Sequence, residues 1–380
     1  MESISICSNF DGGSVEIVDI SDLQNLRFRV RKDTNSNFAQ WFYFKVNNIA
    51  NKDLNFTFID LDQTAYPEGW ENYNVCVSFD NRNWFRMPTK FANNQMNFKI
   101  NAQGFDSVYI AYFEPYPYMR HADLLGFVAN SAYGNKSKIV KCESLGLTHQ
   151  GRSIDLVQVG DSNAKHKIWV IASQHPGETM ARWFMEGFIY RLLDRFDGIS
   201  NKLLKDCVFY LVPNVNPDGA ALGNLRVNSV GANLNREWQT PTMDRSPEVV
   251  AIQAKMKQTG VDMFFDIHGD EAIPYIFRAD CDEIPNYSKK QQEMAHKFEQ
   301  ALLQVNPDFQ LQHGYEKGHF NKETLTLANN WVGQTYGCLS IVIEMPFKDN
   351  DNSPDLQYGW NGRRSSLFGA SFLTAISMLV

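Results

Sequence analysis

Lys167-Ile168-Trp169-Val170-Ile171-Ala172-Ser173-Gln174-His175-Pro176-Gly177-Glu178 is the stretch that decides the fold. It opens on a continuous apolar run, the pattern of a strand buried on both faces of a parallel sheet. It closes on a turn that carries a histidine, a glycine and a glutamate, and Thr179–Leu193 then has helical spacing. A strand that feeds a helix through a turn of reactive residues is the unit of an α/β fold. In such folds ligands bind beyond the carboxyl ends of the strands.

The unit recurs downstream. Cys207–Val212 is a second buried-strand pattern, followed by Pro213-Asn214-Val215-Asn216-Pro217-Asp218-Gly219. Met263–Ile267 runs into His268-Gly269-Asp270-Glu271, and Leu339–Ile343 ends on Glu344. Pro247–Lys257 and Tyr287–Val305 read as helices, and an apolar helix closes the chain from Arg364. Residues 119–380 are therefore expected to form a mixed, mostly parallel sheet with helices on both faces.

Upstream the pattern is different. Ser14–Val18, Leu26–Val30, Trp41–Val46, Leu54–Ile59, Val75–Phe79, Met96–Ile100 and Ser107–Phe113 are short β-rich runs separated by Asn, Asp and Gly turns. This spacing predicts an antiparallel β-sandwich over residues 1–115. Glu114-Pro115-Tyr116-Pro117-Tyr118, with its two prolines, reads as the linker between the two parts.

Composition bounds the function. The chain has 380 residues, room for about two or three domains at roughly 100–200 residues each. Its 36 basic and 43 acidic residues give a net charge of −7, which argues against a nucleic-acid or anionic-membrane surface. The six cysteines (Cys7, Cys76, Cys142, Cys207, Cys281 and Cys338) are scattered without a CxxC pair and read as buried reduced thiols. No signal-peptide pattern opens the chain and no run approaches ~18 apolar residues, so a cytoplasmic location is expected.

His175 and Glu178 form an HxxE pair on a turn leading into a helix, where both side chains can converge on one ion. Imidazole nitrogen and carboxylate oxygen suit zinc. His268, from another strand end, would complete a His₂Glu set that leaves a fourth position open, as in a catalytic site. On its own, HxxE reads equally as a helix start with a carboxylate near the macrodipole and a core histidine. The case for a site rests on two His and two Glu falling at three strand ends. Glu344 closes a very apolar strand, where a carboxylate is costly to bury unless it has a partner.

Taken in order, Gln174-His175-Pro176-Gly177-Glu178, Asn214-Val215-Asn216-Pro217-Asp218-Gly219, Gly231-Ala232-Asn233-Leu234-Asn235-Arg236, Asp266-Ile267-His268-Gly269 and Ile343-Glu344 resemble the zinc metallocarboxypeptidases related to carboxypeptidase A. Within that family the chain looks most like a bacterial-type member of the cytosolic carboxypeptidase subfamily, which carries a β-sandwich ahead of its catalytic domain. The resemblance spans essentially the whole chain. It implies one zinc per chain held by His175, Glu178 and His268, with Glu344 as the base that activates the metal-bound water. It also implies that Asn235 and Arg236 grip the substrate's C-terminal carboxylate and that Arg226 stabilises the oxyanion. The implied substrate is the C-terminal tail of a peptide or protein.

The resemblance departs at two points. The family usually has a tyrosine on a mobile loop about twenty residues before the base, but Gly318-His319-Phe320-Asn321-Lys322-Glu323-Thr324-Leu325 contains none, and Tyr336 is the substitute considered. The residue after His268-Gly269 is Asp270, where eukaryotic members commonly have His. Asp270 and Glu271 are candidates for partners of a ligating histidine, or for a solvated loop. Several eukaryotic members remove C-terminal glutamates, which needs a cation in the side-chain pocket. Arg278, Lys317 and Lys322 are the candidate donors, with Asn329 and Asn330 also expected at that pocket.

Two rival readings stand beside the carboxypeptidase. One is a zinc amidohydrolase of small N-acyl amino acids, and the other is a peptide-binding module without catalysis. The sandwich is a candidate gate, partner-docking surface or self-association surface, the last making a homo-oligomer.

Overall fold

The computed structural model describes residues 3–134, 140–316 and 324–380. Its N-terminal portion consists of ten short strands: β1 (Ser5–Cys7), β2 (Glu16–Asp19), β3 (Leu26–Arg29), β4 (Tyr43–Asn47), β5 (Asp53–Phe58), β6 (Val75–Ser78), β7 (Phe85–Met87), β8 (Lys90–Ala92), β9 (Gln95–Asn101) and β10 (Ser107–Ala111). They form two five-stranded sheets, ordered β1-β4-β10-β6-β7 and β2-β3-β5-β9-β8. Pairing is antiparallel except between β3 and β5. Alternation does the work: Met96, Phe98 and Ile100 of β9 are buried, while Gln95, Asn97, Lys99 and Asn101 between them are exposed. Phe28, Phe42, Phe44, Phe56 and Phe58 fill the core, with Phe56 and Phe98 stacked at 4.9 Å. Such ring pairs contribute about 0.5–1.5 kcal/mol beyond the area they bury.

The abundance of asparagine has a local cause. Asn35, Asn48, Asn51, Asn72, Asn81, Asn93 and Asn94 all have φ between 53° and 61°. Asparagine enters this left-handed region more readily than other non-glycine residues because its short amide can bond the local backbone. The seven expected strands correspond to β2 to β6, β9 and β10. Strands β1, β7 and β8 have three residues each, too few to show a period of two.

The connector at residues 114–117 is packed rather than loose. The Glu114 carbonyl accepts from Thr179 Oγ1 at 2.7 Å, and Tyr116 donates its hydroxyl to Glu186 at 2.9 Å. Beyond it come α1 (Tyr118–Gly134), β11 (Val140–Leu147), β12 (Ser153–Val159), β13 (His166–Ala172), α2 (Met180–Leu193), α3 (Gly198–Asp206), β14 (Cys207–Val212) and α4 (Pro217–Leu222). The chain continues through α5 (Pro247–Thr259), β15 (Met263–Asp270), β16 (Phe277–Asp280), α6 (Lys289–Val305), α7 (Ala328–Tyr336), β17 (Leu339–Pro346) and α8 (Gly362–Ser377).

The seven strands make one mixed sheet ordered β11-β12-β14-β13-β15-β17-β16. The four central strands, β14, β13, β15 and β17, are mutually parallel; β12 and β16 run antiparallel to them on either side, and the edge strand β11 pairs antiparallel with β12. Every residue of β14, β15 and β17 is buried, which is why these strands read as unbroken apolar runs. Along β13, Ile168, Val170 and Ala172 face the core made with α2, α6 and α8, while Trp169 and Ile171 face the one made with α5 and α7. Helices therefore cover both faces. Helices α2 and α8 meet closely because a Cβ on Gly187 would lie 1.9 Å from the Ser366 carbonyl oxygen. No helix among the described residues is long and apolar enough to cross a membrane.

Candidate active site and metal centre

The parallel strands deliver their reactive residues at one edge of the sheet. Strand β13 ends at Ala172, and Ser173 then takes φ 64°, a conformation that costs a non-glycine residue roughly 1–3 kcal/mol and clusters at functional sites. Gln174 braces the turn, donating to Asp266 at 2.6 Å and accepting from the Trp238 indole at 2.8 Å. Asn216, in the loop after β14, donates to the Gln174 carbonyl at 3.1 Å. Gly177 donates to the Leu225 carbonyl at 2.8 Å, and a Cβ there would come within 2.8 Å of Leu225 Cα. Only glycine lets the His-Pro-Gly-Glu turn pack so closely on the loop carrying Arg226.

His175, Glu178 and His268 converge, with ligand atoms all within 4.8 Å of one another. His175 Nδ1 is 2.6 Å from Glu178 Oε1, and His268 Nδ1 is 2.8 Å from Glu178 Oε2. The outer nitrogens are also occupied. His175 Nε2 faces Asn233 Oδ1 at 3.1 Å, and His268 Nε2 lies 3.0 Å from Asp266 Oδ2, near enough for charge attraction but off the line of a hydrogen bond. Metal-ligating histidines commonly have such an oxygen partner on the second ring nitrogen, which fixes the tautomer.

The electrostatics of the three differ. Burial, aided by the Arg226 charge, pushes His175 down to about 3, so its ring is neutral at neutral pH, as a ligand must be. Burial would lower His268 too, but Asp266 and Glu178 on either side hold it well above its ordinary value. Burial alone would raise Glu178, yet the two imidazoles outweigh it and hold this carboxyl below the usual range. Two buried carboxylates gathered around two imidazoles form a pocket built for positive charge.

Glu344 stands beside this group. Its Oε1 accepts from the Tyr315 hydroxyl at 3.2 Å, and its Oε2 is buried without a partner. Burial drives its carboxyl well above the ordinary range, with His268 pulling the other way. Tyr315 also points at Asp270 Oδ2, 3.0 Å away.

Asn235 and Arg236 lie on a short turn at the wall of the same cleft. Asn235 Oδ1 accepts from the Ala328 amide at 2.9 Å, which leaves the side-chain nitrogen as the donor available to a ligand. Arg236 Nη1 donates to the Asn235 carbonyl at 2.8 Å. Arg226 completes the wall, its guanidinium carbon 5.5 Å from the Phe38 ring centre and 5.4 Å from that of Tyr66, both from the sandwich. Six of the seven candidate residues line one cleft of about 1340 Å³, and His268 joins them through its contact with Glu178.

Comparison with known proteins gives this geometry its context. Residues 6–113 match the model of the cytosolic carboxypeptidase N-terminal domain, and residues 129–362 match that of zinc carboxypeptidase. The chain belongs to the zinc carboxypeptidase family. Among solved structures, a metallo-carboxypeptidase from Burkholderia cenocepacia is 43% identical, covers 99% of each chain and superposes with a TM-score of 0.94. A metallo-carboxypeptidase from Pseudomonas aeruginosa, in complex with (2-guanidinoethylmercapto)succinic acid, is 41% identical over 99% of this chain and 98% of its own, with a TM-score of 0.92. Cytosolic carboxypeptidase 6 of Caenorhabditis elegans is 26% identical over 90% of this chain and 78% of its own.

Within this carboxypeptidase, the residue that the sequence reading missed is Tyr315. It lies 29 residues before Glu344, upstream of residues 318–325. Tyr336, the substitute considered, is instead near Trp331 at the other face of the sheet, 6.3 Å between rings. Asp270 is neither a histidine partner nor solvated: it is buried, and it accepts from the amides of Ala272 and Ile273 as well as from Tyr315. Glu271 is buried with Oε1 unpartnered. Arg278 is paired with Asp280 at 3.1 Å and with Glu299. Lys317 and Lys322 fall outside the described residues. Asn329 donates to the Asp280 carbonyl at 3.3 Å, and Asn330 lines the cleft with a buried, unpartnered Oδ1.

Proposed function

We propose that this carboxypeptidase removes the last residue of peptides or flexible protein tails, using one zinc held by His175, Glu178 and His268. The observation that carries the reading is the convergence of these two imidazoles and one carboxylate directly beside Glu344. Zinc bound there supplies Lewis acidity and lowers the pKa of its water to about 7. Arg236, with the Asn235 amide nitrogen, binds the substrate's terminal carboxylate through the planar fork that guanidinium offers. Glu344 takes the proton of the attacking water as the new C–O bond forms, then gives it to the amine as the C–N bond breaks. Arg226 opposes the negative charge that develops on the carbonyl oxygen. Tyr315 holds Glu344 from one side and fixes its orientation.

The cleft also bears on substrate preference. Among the described residues its walls carry eleven carboxylates against three arginines, and Arg278, one of the three, is already bracketed by Asp280 and Glu299. A glutamate side chain would enter a negative field with few cations left to meet it. The related Pseudomonas protein binds a ligand with a guanidino group, which supports a preference for cationic side chains. The amidohydrolase alternative calls for a site closed around a small ligand. A cleft of about 1340 Å³ exceeds the usual small-molecule range of roughly 300–1,000 Å³.

The test pairs metal analysis with a C-terminal release assay on a mixed peptide library. One zinc per chain and release of free amino acids are expected. Activity confined to small N-acyl amino acids would overturn the reading.

A further inference from the structure

Arg226 owes its place to the sandwich. The backbone N–H groups of Leu225, Arg226 and Val227 all donate to one carboxylate, that of Asp33, at 2.7 Å to Oδ1 and 2.7 and 3.3 Å to Oδ2. Asp33 is only 4% exposed. It opens a tight turn in which its own amide donates to the Phe38 carbonyl at 2.7 Å and Ser36 donates back to the Asp33 carbonyl at 3.2 Å. The same turn therefore presents Phe38, the ring near the Arg226 guanidinium. Its intermediate residues hold the flanks of the arginine loop. Thr34 N and Oγ1 donate to Asn224 Oδ1 at 3.0 and 3.1 Å, and Asn35 donates to the Ser229 carbonyl at 3.2 Å.

Burying a carboxylate is costly unless its lone pairs are met. Here three successive amides meet them, and the arrangement suits a carboxylate better than an amide. Asparagine at this position would turn an NH₂ group toward one of the three N–H donors. A guanidinium that is to stabilise charge in a transition state must be in place before the charge appears. Misplacement by about 1 Å can cost roughly a hundredfold in rate.

We propose that Asp33 is a positioning residue for Arg226. The sandwich supplies both the carboxylate that fixes the arginine's backbone and the ring beside its guanidinium, and so forms part of the catalytic apparatus. This rests on the assignment of Arg226 to the developing oxyanion.

The experiment is a double-mutant cycle on the full chain with zinc bound: wild type, Asp33→Asn, Arg226→Ala and the double variant, each with kcat, KM, zinc content and melting temperature. Arg226→Ala should lower kcat by on the order of 10²–10³. Asp33→Asn should lower kcat by on the order of tenfold or more, with KM and zinc content close to wild type. In the Arg226→Ala background the same Asp33→Asn change should be nearly silent, because the group it positions is gone. An equal loss in both backgrounds, or no loss with Arg226 present, overturns the proposal while leaving Arg226 in its role. Full activity in Arg226→Ala would instead sink the oxyanion assignment and the proposal with it. If Asp33→Asn does not fold, Phe38→Leu runs through the same cycle with the same deciding outcomes.

Discussion

Glu344 is the direct neighbour of His268 in the parallel ladder between β17 and β15, the two Cα atoms paired in register. One backbone alignment thus sets a candidate metal ligand and the proposed base side by side. A slip of one residue would turn either side chain to the other face of the sheet. The buried strands on which both residues sit make that slip expensive.

Glu344→Gln keeps the shape but cannot take a proton. Zinc content measured by atomic emission should stay at one per chain. Turnover should fall by on the order of 10²–10⁴, the usual share of general acid–base catalysis. Turnover near wild type would remove Glu344 from the role of base.

Tyr315→Phe removes the hydroxyl that reaches Glu344 and Asp270. That hydrogen bond draws the Glu344 carboxyl down against the lift of burial, so its loss raises the carboxyl further. A base is active when deprotonated, so the acid limb of the kcat/KM profile should move to higher pH. Zinc content should not change. An unmoved limb would separate Tyr315 from the proton on Glu344.

Arg236→Ala should act on recognition rather than on the metal. Loss of a charge-assisted carboxylate contact costs about 1.5–3 kcal/mol, or roughly ten- to over a hundredfold in kcat/KM for peptides with a free terminus. Peptides with an amidated terminus should be poor substrates of the wild type and should lose little more in the variant. Equal cleavage of free and amidated peptides by the wild type would contradict carboxylate recognition.

The acidic cleft predicts a salt-sensitive preference. Peptides ending in Lys or Arg should have a higher kcat/KM than matched peptides ending in Glu, and raising ionic strength should narrow the gap, because exposed charges more than about 10 Å apart are largely screened at 0.1 M salt. Faster release of Glu at every salt concentration would show that the field of the cleft does not govern selection.

Much of this was legible in the residues, for identifiable reasons. Strands β13, β14, β15 and β17 are visible as apolar runs because both faces of the sheet are covered, and their reactive residues fall where the runs stop. Strand β16 is not, since Phe277–Asp280 has four residues with two charges and owes its strand state to pairing with β17. Tyr315 belongs to no periodic element, and only the acceptors of its hydroxyl reveal it. Asp33 is less legible still, because its three donors lie 192 to 194 residues away. A contact that distant leaves no local pattern.

A last prediction concerns stability. Glu248, in the first turn of α5, is fully buried and neither oxygen completes a hydrogen bond. Burial pushes its carboxyl up to about 7, and the nearby Asp218 charge pushes in the same direction. In the unfolded chain the group ionises near 4.3. Between those two values the folded state binds the proton more tightly, so stability falls as pH rises through the window and the full penalty is present above about 7. At about 1.4 kcal/mol per unit, the penalty is on the order of 4 kcal/mol. Glu248→Gln removes the ionisation but keeps the shape. Its melting temperature should exceed that of the wild type by several degrees at pH 8, and the difference should shrink as the pH approaches 5. A constant difference across that range would mean that Glu248 does not titrate within it.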